Sequence, residues 1–218
     1  MPSGIFHIAP VNAFLAVNSH TVKSILTLFF LSLCLLAGAQ TFRAAPIIGF
    51  NMAQIDGDNL AGYHRMGFHG GAKVFAHINK NFSLGFEILY SEKGSRRNRR
   101  IYFQGEDFEV KLSYVEIPLL IHYMDRNGMA FGAGFSYNSL LDTAGFTYGP
   151  NNPLNDPVAF KSWDLNGIFD LLYLIKDHYG INLRYAYSLL PIGNYSYSEF
   201  KDGRISNNLL TFRFLYLF

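Results

Sequence analysis

The 218-residue sequence is poor in charge, in cysteine and in tryptophan. Charged residues make up 16% of the chain, against roughly 25% in ordinary soluble domains, and the formal net charge is only +2. So small a net charge creates no broad field that would attract a polyanion, and we expect no nucleic-acid partner. The chain also lacks the H-E-x-x-H, G-x-S-x-G and P-loop motifs, so we expect no enzyme, no metal and no cofactor.

Long hydrophobic runs are also scarce, and one segment differs from the rest of the chain. Between Val22 and Ala39 a lysine is followed by a mostly apolar run, Ile25–Leu36, and then by Ala-Gly-Ala. The run is too short for a membrane helix, which needs about 20 residues, and its parts are those of a secretory signal peptide. We therefore predict that residues 1–39 are a signal peptide cleaved after Ala39. A retained N-terminal anchor is the alternative.

The single cysteine, Cys34, lies inside this predicted signal peptide. The mature chain would then have no thiol, which excludes disulfides, thiolate metal sites and a cysteine nucleophile. Residues 1–21 contain no Lys, Arg, Asp or Glu. A stretch of this kind is unusual at the start of a signal peptide, and it favours a true translation start at Val22.

Aromatic residues are abundant, at 17% of the chain, and they follow a two-residue period. Residues 209–218 place aromatic side chains on one face and Arg213 on the other, and residues 82–91 and 181–189 repeat the pattern. A strand sorts such residues onto two faces, whereas a helix scatters them around its axis. Weaker alternation marks five further segments, which are residues 44–54, 66–78, 109–123, 129–141 and 161–175. The pattern therefore predicts eight strands.

The connections between these strands alternate in length. The short ones are polar turns of the kind that close β-hairpins, at residues 79–81, 125–128 and 176–179. The long ones lie at roughly 55–65, 94–108, 142–160 and 190–206. Short turns at one end and long loops at the other are typical of an outer-membrane barrel, with the turns and termini in the periplasm. We predict that residues 40–218 form an all-β, eight-stranded antiparallel transmembrane β-barrel, an up-and-down meander.

The aromatic face supports a membrane-spanning barrel over a soluble one. Tyrosines fall near the predicted strand ends, where aromatic residues border the membrane. They are Tyr90, Tyr123, Tyr137, Tyr173 and Tyr187. A soluble sandwich or a lipocalin-like barrel is the alternative, but it would need a polar outer face. Here the more hydrophobic face is also the more aromatic one.

Four stretches carry a resemblance to a known family. The more specific are residues 86–94, FEILYSEKG, and residues 114–121, YVEIPLLI; residues 48–53, IGFNMA, and 67–71, GFHGG, are weaker. Over roughly residues 42–218 the chain resembles the PorT-like outer-membrane β-barrel family of Bacteroidetes-type bacteria. The resemblance implies an integral outer-membrane barrel of mostly unassigned activity. The founding member works in a protein-secretion and gliding-motility system, so a component of such a system is one alternative function.

The face opposite the aromatic one carries most of the charge within the predicted strands. An eight-stranded barrel is only wide enough inside for side chains, and a buried charge without a partner costs several kcal/mol. We therefore predict a structural ion-pair plug in the lumen, with an ion or proton path through a narrow channel as the alternative. The predicted plug residues are Lys73, Glu87, Glu116, Asp164, Asp170, Arg184 and Arg213, accompanied by His69, Asn51 and Asn166.

A second group of charges lies in the second long loop. Arginine pairs well with phosphate, so this loop is predicted to contact lipopolysaccharide phosphates or an acidic envelope protein. The predicted contact residues are Lys93, Arg96, Arg97, Arg99 and Arg100. The alternative is a solvated loop whose charges are balanced by Glu106, Asp107 and Glu109.

Phe218 closes the outward aromatic face and resembles the signal that the barrel-assembly machinery reads. A small enzyme at the barrel rim is a further alternative, for which His64 with Asp58 or Asp56 is the only neighbourhood. The interpretation favoured by the sequence is a non-enzymatic outer-membrane protein in contact with lipid and lipopolysaccharide. It would act through its extracellular loops in a structural, adhesive or envelope-assembly role.

Overall fold

The computed structural model describes Ser24 and residues 42–57, 62–97, 107–148, 159–194 and 204–218. The predicted signal peptide and its cleavage site therefore lie outside the described residues, apart from Ser24. Within the described ranges, no helix combines the length and the apolar character needed to cross a membrane.

Strands account for most of the described chain. The long ones are β1 (Phe42–Asp56), β2 (Arg65–His77), β3 (Phe82–Arg97), β4 (Asp107–Met124), β5 (Met129–Tyr148), β7 (Trp163–Ile175), β8 (Tyr179–Ser188) and β10 (Arg204–Tyr216). Two short strands, β6 (Ala159–Phe160) and β9 (Gly193–Asn194), pair with each other, and β9 also pairs with the start of β10. Each of the eight long strands overlaps one of the eight alternating segments of the sequence.

The eight long strands form a closed antiparallel barrel. Each pairs with the next along the chain, and β10 pairs back onto β1, with Ile47 opposite Leu215. Pairing followed once around the barrel from Gln54 returns to Ala44, ten residues away on β1, so the strands are tilted. The predicted eight-stranded meander is confirmed.

The outside of the barrel is apolar and aromatic. Phe135 is 61% exposed and Phe169 is 65% exposed, which a soluble protein would not tolerate across a continuous belt of such residues. Aromatic pairs border the belt at both ends: Tyr137 stacks on Trp163 towards the loops, and Phe82 meets Tyr123 edge-on near the turns. This exterior fits a hydrocarbon environment with aromatic girdles at its two interfaces.

Five strands extend by two or more residues beyond their predicted segments at the loop end: β1, β3, β4, β5 and β10. Strand β3 continues to Arg97, β4 begins at Asp107 and β5 continues to Tyr148, whereas residues 94–108 and 142–160 were predicted to be loops. The prediction was wrong because it used hydrophobic alternation, which only the lipid-facing part of a strand requires. Backbone pairing continues beyond the lipid, as far as Asp107 opposite Tyr148.

Candidate functional site

Five of the predicted plug residues meet in the half of the lumen nearest the short turns. In this turn-side cluster, Arg184 donates to both carboxylate oxygens of Asp170, at 2.6 and 3.0 Å, and to Glu87 at 2.9 Å. Arg213 donates to Glu87 at 2.9 Å and to Asp170 at 3.0 Å, and the Nζ of Lys73 lies 2.8 Å from Glu87. Each of the five is at most 4% exposed, so these charges are compensated by one another rather than by water.

Two residues outside the predicted set complete this cluster. Asn182 accepts a hydrogen bond of 2.6 Å from Nε of Arg213, and Nε2 of His122 lies 3.0 Å from Nζ of Lys73. The His122 ring occupies the space left by Gly132, where an added Cβ would stand 2.7 Å from the ring. Both residues share the inward parity of their strands, so the two-residue period was the signal that could have identified them.

A second cluster lies nearer the loops. The Nζ of Lys93 lies 2.7 Å from Glu116, 2.9 Å from the side-chain oxygen of Asn166 and 3.8 Å from Asp164. The amide of Asn166 in turn donates to Asp164 at 2.9 Å. In this loop-side cluster Lys93 therefore compensates two carboxylates, and the Asn166 side chain links Lys93 to Asp164.

Lys93 corrects the predicted surface contact. It was assigned to the anion-binding loop, but its side chain is fully buried and points into the lumen. Lys93 lies six positions after the inward-facing Glu87 on β3. Residues an even number of positions apart on a strand share a face, so Lys93 also points inward. With Lys93 included, the two clusters hold four bases and four acids and are formally neutral. They are Lys73, Lys93, Arg184, Arg213, Glu87, Glu116, Asp164 and Asp170.

The neutral polar residues predicted beside the plug also lie in the lumen. Asn51 donates to Ser91 at 2.8 Å and accepts from Thr211 at 2.8 Å, which links three strands. The Nδ1 of His69 lies 3.3 Å from Ser91. These bonds pair buried polar atoms that would otherwise be costly to remove from water.

Apolar clusters lie at both ends of the lumen. The cluster at the turn end consists of Ala45, Ile47, Phe75, Leu89, Ala130, Leu172, Leu174, Leu215 and Leu217. The cluster at the loop end consists of Ile55, Val110, Leu112, Tyr114, Ile192 and Ile205. A third group of five packs between the charged clusters, Ala53, Leu120, Ile168, Ala186 and Leu209. The charges are thus enclosed by apolar side chains along the barrel axis.

The predicted surface arginines are only partly described. Arg96 is exposed at the loop end of β3, and Arg97 is the last residue of that strand. Arg99 and Arg100 lie outside the described residues, as does Glu106. Glu109, expected to balance this loop, instead forms an ion pair with the buried Arg65.

Phe218 lies at the seam where the barrel closes. Its side chain is 72% exposed on the lipid-facing side, and its N–H donates to the carbonyl of Ala44 at 3.0 Å. Arg43 donates to the Phe218 carbonyl at 3.3 Å and to that of Asp177 at 2.5 Å. The assembly-signal role stays a prediction, which deletion of Phe218 tests through the amount of assembled barrel in the outer membrane.

The rim neighbourhood considered for an enzyme is not assembled by contacts of the described residues. The carboxylate of Asp56 accepts hydrogen bonds from Gln54 at 2.6 Å and from Asn208 at 3.1 Å. The His64 side chain is exposed, and Asp58 lies outside the described residues. Within the described part of the chain, no group of three or more His, Cys, Asp or Glu residues could hold a metal ion.

A closed barrel with an apolar exterior and a filled lumen is the architecture of an outer-membrane β-barrel protein. Residues 38–194 match the family model described as outer membrane protein beta-barrel domain, and the chain belongs to this family. It is a protein of the bacterial outer membrane. In such barrels the short turns face the periplasm and the longer connections face the exterior.

Solved structures of the same architecture are similar to the chain at low sequence identity. Ail of Yersinia pestis is 12% identical, covers 81% of this chain and 98% of its own, and gives a TM-score of 0.45. Neisserial surface protein A is 14% identical, with 81% and 97% covered and a TM-score of 0.46. OprG of Pseudomonas aeruginosa is 13% identical, with 81% and 94% covered and a TM-score of 0.43. No curated protein matches the chain.

Proposed function

We propose that this outer-membrane protein is non-enzymatic and acts through its extracellular end, in a structural, adhesive or envelope-assembly role. The observation that carries the proposal is the filled lumen, in which eight compensated charges are enclosed between apolar clusters at both ends. A lumen of this kind serves as a structural plug rather than as a path. The surface available to a partner outside the cell is then the loop end of the barrel.

The plug makes a direct prediction about conductance. The purified barrel, inserted into planar bilayers, is expected to give no current above that of a protein-free membrane, because apolar side chains close both ends of the lumen. Single-channel recording in potassium chloride is the measurement. Discrete openings that persist across preparations would contradict the plug and favour the narrow channel.

Phosphate groups of lipopolysaccharide, or an acidic envelope protein, are the partners that the loop-end chemistry favours. Arg96 is exposed there, and Arg97, Arg99 and Arg100 follow it in sequence. Lys111, on the neighbouring strand, is 39% exposed and lies 3.1 Å from Glu92. Guanidinium groups bind phosphate in a bidentate manner, so an exposed Arg96 with three further arginines close to it in sequence suits anionic headgroups.

Neutralising these arginines tests the extracellular role. A variant with Arg96, Arg97, Arg99 and Arg100 changed to Gln is expected to assemble normally and to lose contacts with glycolipid or with surface partners. The measurement is crosslinking on whole cells followed by identification of the linked species, with Arg126→Gln on the opposite, periplasmic end as the matched control.

The outcome of this crosslinking also bears on the PorT-type alternative. The family stretches at residues 86–94 and 114–121 support that alternative, and they supply Glu87, Lys93 and Glu116 to the plug. Recovery of secretion-system subunits among the linked species would favour a secretion component. A linked set that is the same in the arginine variant as in the wild type would contradict a role for these residues.

A further inference from the structure

Parts of three strands stand beyond the aromatic girdle at the loop end. Strands β4 and β5 have 18 and 20 residues, although a tilted strand crosses a membrane in about 9–11 residues. The excess forms a three-stranded extension, which we call the blade. It consists of Glu92–Arg97 of β3, Phe108–Ser113 of β4 and Asp142–Tyr148 of β5. At about 3.3 Å per residue, each of these segments is roughly 20 Å long.

One edge of the blade has no described partner strand. The ladder between β5 and β7 ends at Ser139 opposite Trp163, and one further bond joins the Leu140 N–H to Ser162. Beyond it, the described pairing of β5 is with β4 alone, through Asp142 to Tyr148. Every second residue of this segment therefore directs its backbone N–H and C=O away from the blade.

The opposite edge of the blade, on β3, is covered by side chains at its barrel end. Nε of Arg65 donates to the Lys93 carbonyl at 2.9 Å, and Asn51 donates to the Glu92 carbonyl at 2.9 Å. Gly94 has a left-handed φ of +136°, which disturbs the regular extended backbone there. Charge, bulges and bound carbonyls are the usual protections of an edge against pairing.

On the β5 edge these protections are confined to its barrel end, where a β-bulge leaves Leu141 unpaired with β4 and the charged Asp142 follows. From Thr143 to Tyr148 it reads Thr-Ala-Gly-Phe-Thr-Tyr, with no charge and no proline. Such short, uncharged and β-prone segments are the ones that pair with another strand. The residues that follow in sequence include prolines at 150, 153 and 157, and proline has no N–H to donate to a ladder.

A second copy in the same membrane does not fit this edge. Two such barrels would be related by an axis along the membrane normal. With this symmetry, the facing strands of the two barrels cross each other at about twice their tilt, roughly 80°. Strands at such an angle cannot form a continuous ladder. An extended segment of a different protein has no such constraint and can satisfy a row of backbone donors and acceptors.

We infer that the β5 edge Leu141–Tyr148, on which no described strand pairs, is a binding site for an extended segment of a partner protein, which adds to the blade as a further strand. The inference rests on the proposed extracellular role and names its partner class. Asp142, exposed at the barrel end of the edge, favours a segment with Lys or Arg opposite it. The backbone supplies affinity, and the alternating side chains supply selectivity.

The test uses the full barrel in phosphatidylcholine nanodiscs and a labelled probe peptide, Lys-Thr-Val-Thr-Tyr-Thr-Val. Fluorescence anisotropy measures peptide binding, and amide hydrogen exchange locates it on β5. The control peptide has the same sequence with every backbone amide N-methylated. Two protein variants, Ala144→Pro and Gly145→Pro, are compared, because one of two neighbouring residues directs its N–H to the open edge and the other directs it to β4. The informative variant is the one in which the β4–β5 amides keep their protection from hydrogen exchange, because its proline removes an N–H of the open edge alone.

The expected result is binding of the probe with new protection of alternate amides between 141 and 148. The N-methylated peptide should not bind, and the informative proline variant should bind at least ten-fold more weakly. Edge amides already protected in the free barrel, or equal binding of the N-methylated peptide, would overturn the inference. The two proposals can fail separately. Whole-cell crosslinks that persist in the informative proline variant, but are lost when the loop arginines are replaced, would support the proposed function and contradict this binding site.

Discussion

Replacing Glu87 with Gln is expected to lower the free energy of unfolding by about 3–5 kcal/mol, the range for breaking a buried ion pair from one side. Glu87 is fully buried and contacts all three bases of the turn-side cluster. The substitution keeps the shape of the side chain and removes its charge, so Lys73, Arg184 and Arg213 would face Asp170 alone. Emission of the single tryptophan, Trp163, during urea unfolding in lipid vesicles measures the change.

A matched control lies five residues along the same strand. Glu92→Gln removes an acid of the same type that points outward and pairs with the partly exposed Lys111, so its effect is expected to stay within about 1 kcal/mol. Adding Lys73→Met to Glu87→Gln should recover part of the loss, because it removes one of the excess cations. Equal stability of the Glu87 and Glu92 variants would show that the lumen charges are solvated.

Replacing Gly132 with Val is expected to destabilise the barrel by about 3 kcal/mol, at the upper end of the range for overpacking a core. The new Cβ would stand 2.7 Å from the His122 ring and 3.0 Å from Cβ of Asp170. The ring cannot move away easily, because Phe75 packs against it with ring centroids 5.3 Å apart and Gly85 lies against its opposite, Nδ1-bearing edge. Urea unfolding followed by Trp163 emission again provides the measurement.

The neighbouring residue provides the control for this second prediction. Ala133 is exposed on the lipid-facing side of β5, so Ala133→Val adds the same bulk without entering the lumen. Its stability is expected to match that of the wild type. A Gly132 variant that unfolds at the wild-type urea concentration would mean that the lumen around His122 is loosely packed.

The barrel could be predicted from the sequence because its environment imposes a strict period. Residues on one face must suit lipid and those on the other must suit a narrow lumen, so aromatic and charged residues alternate in segments such as 82–91. The closed antiparallel order, the inward placement of Arg184 and Arg213, and the outward placement of Phe218 all follow from this single signal.

The parts that were missed depend on information that this period does not contain. Lys93 lies in a run of basic residues, and this density of charge favoured a surface position for it. Its position in the two-residue period matches that of Glu87 and indicates the lumen instead. The space that Gly132 leaves for His122 depends on register across two strands, which no local pattern specifies. The β3 and β5 parts of the blade fall largely in predicted loops, because strands in water no longer need apolar residues at alternate positions, whereas residues 109–113 fall in a predicted strand.

The seam between β1 and β10 has a consequence for the kinetics of folding. It joins positions as far apart in sequence as Arg43 and Phe218, which are separated by 175 residues. Contacts at such separation form slowly, because the entropy of closing the intervening chain is lost before they contribute. Until this seam forms, both outer strands expose unpaired backbone groups that hydrocarbon does not tolerate. Closure is therefore expected to be the rate-limiting event, and pairing earlier in the chain cannot replace it.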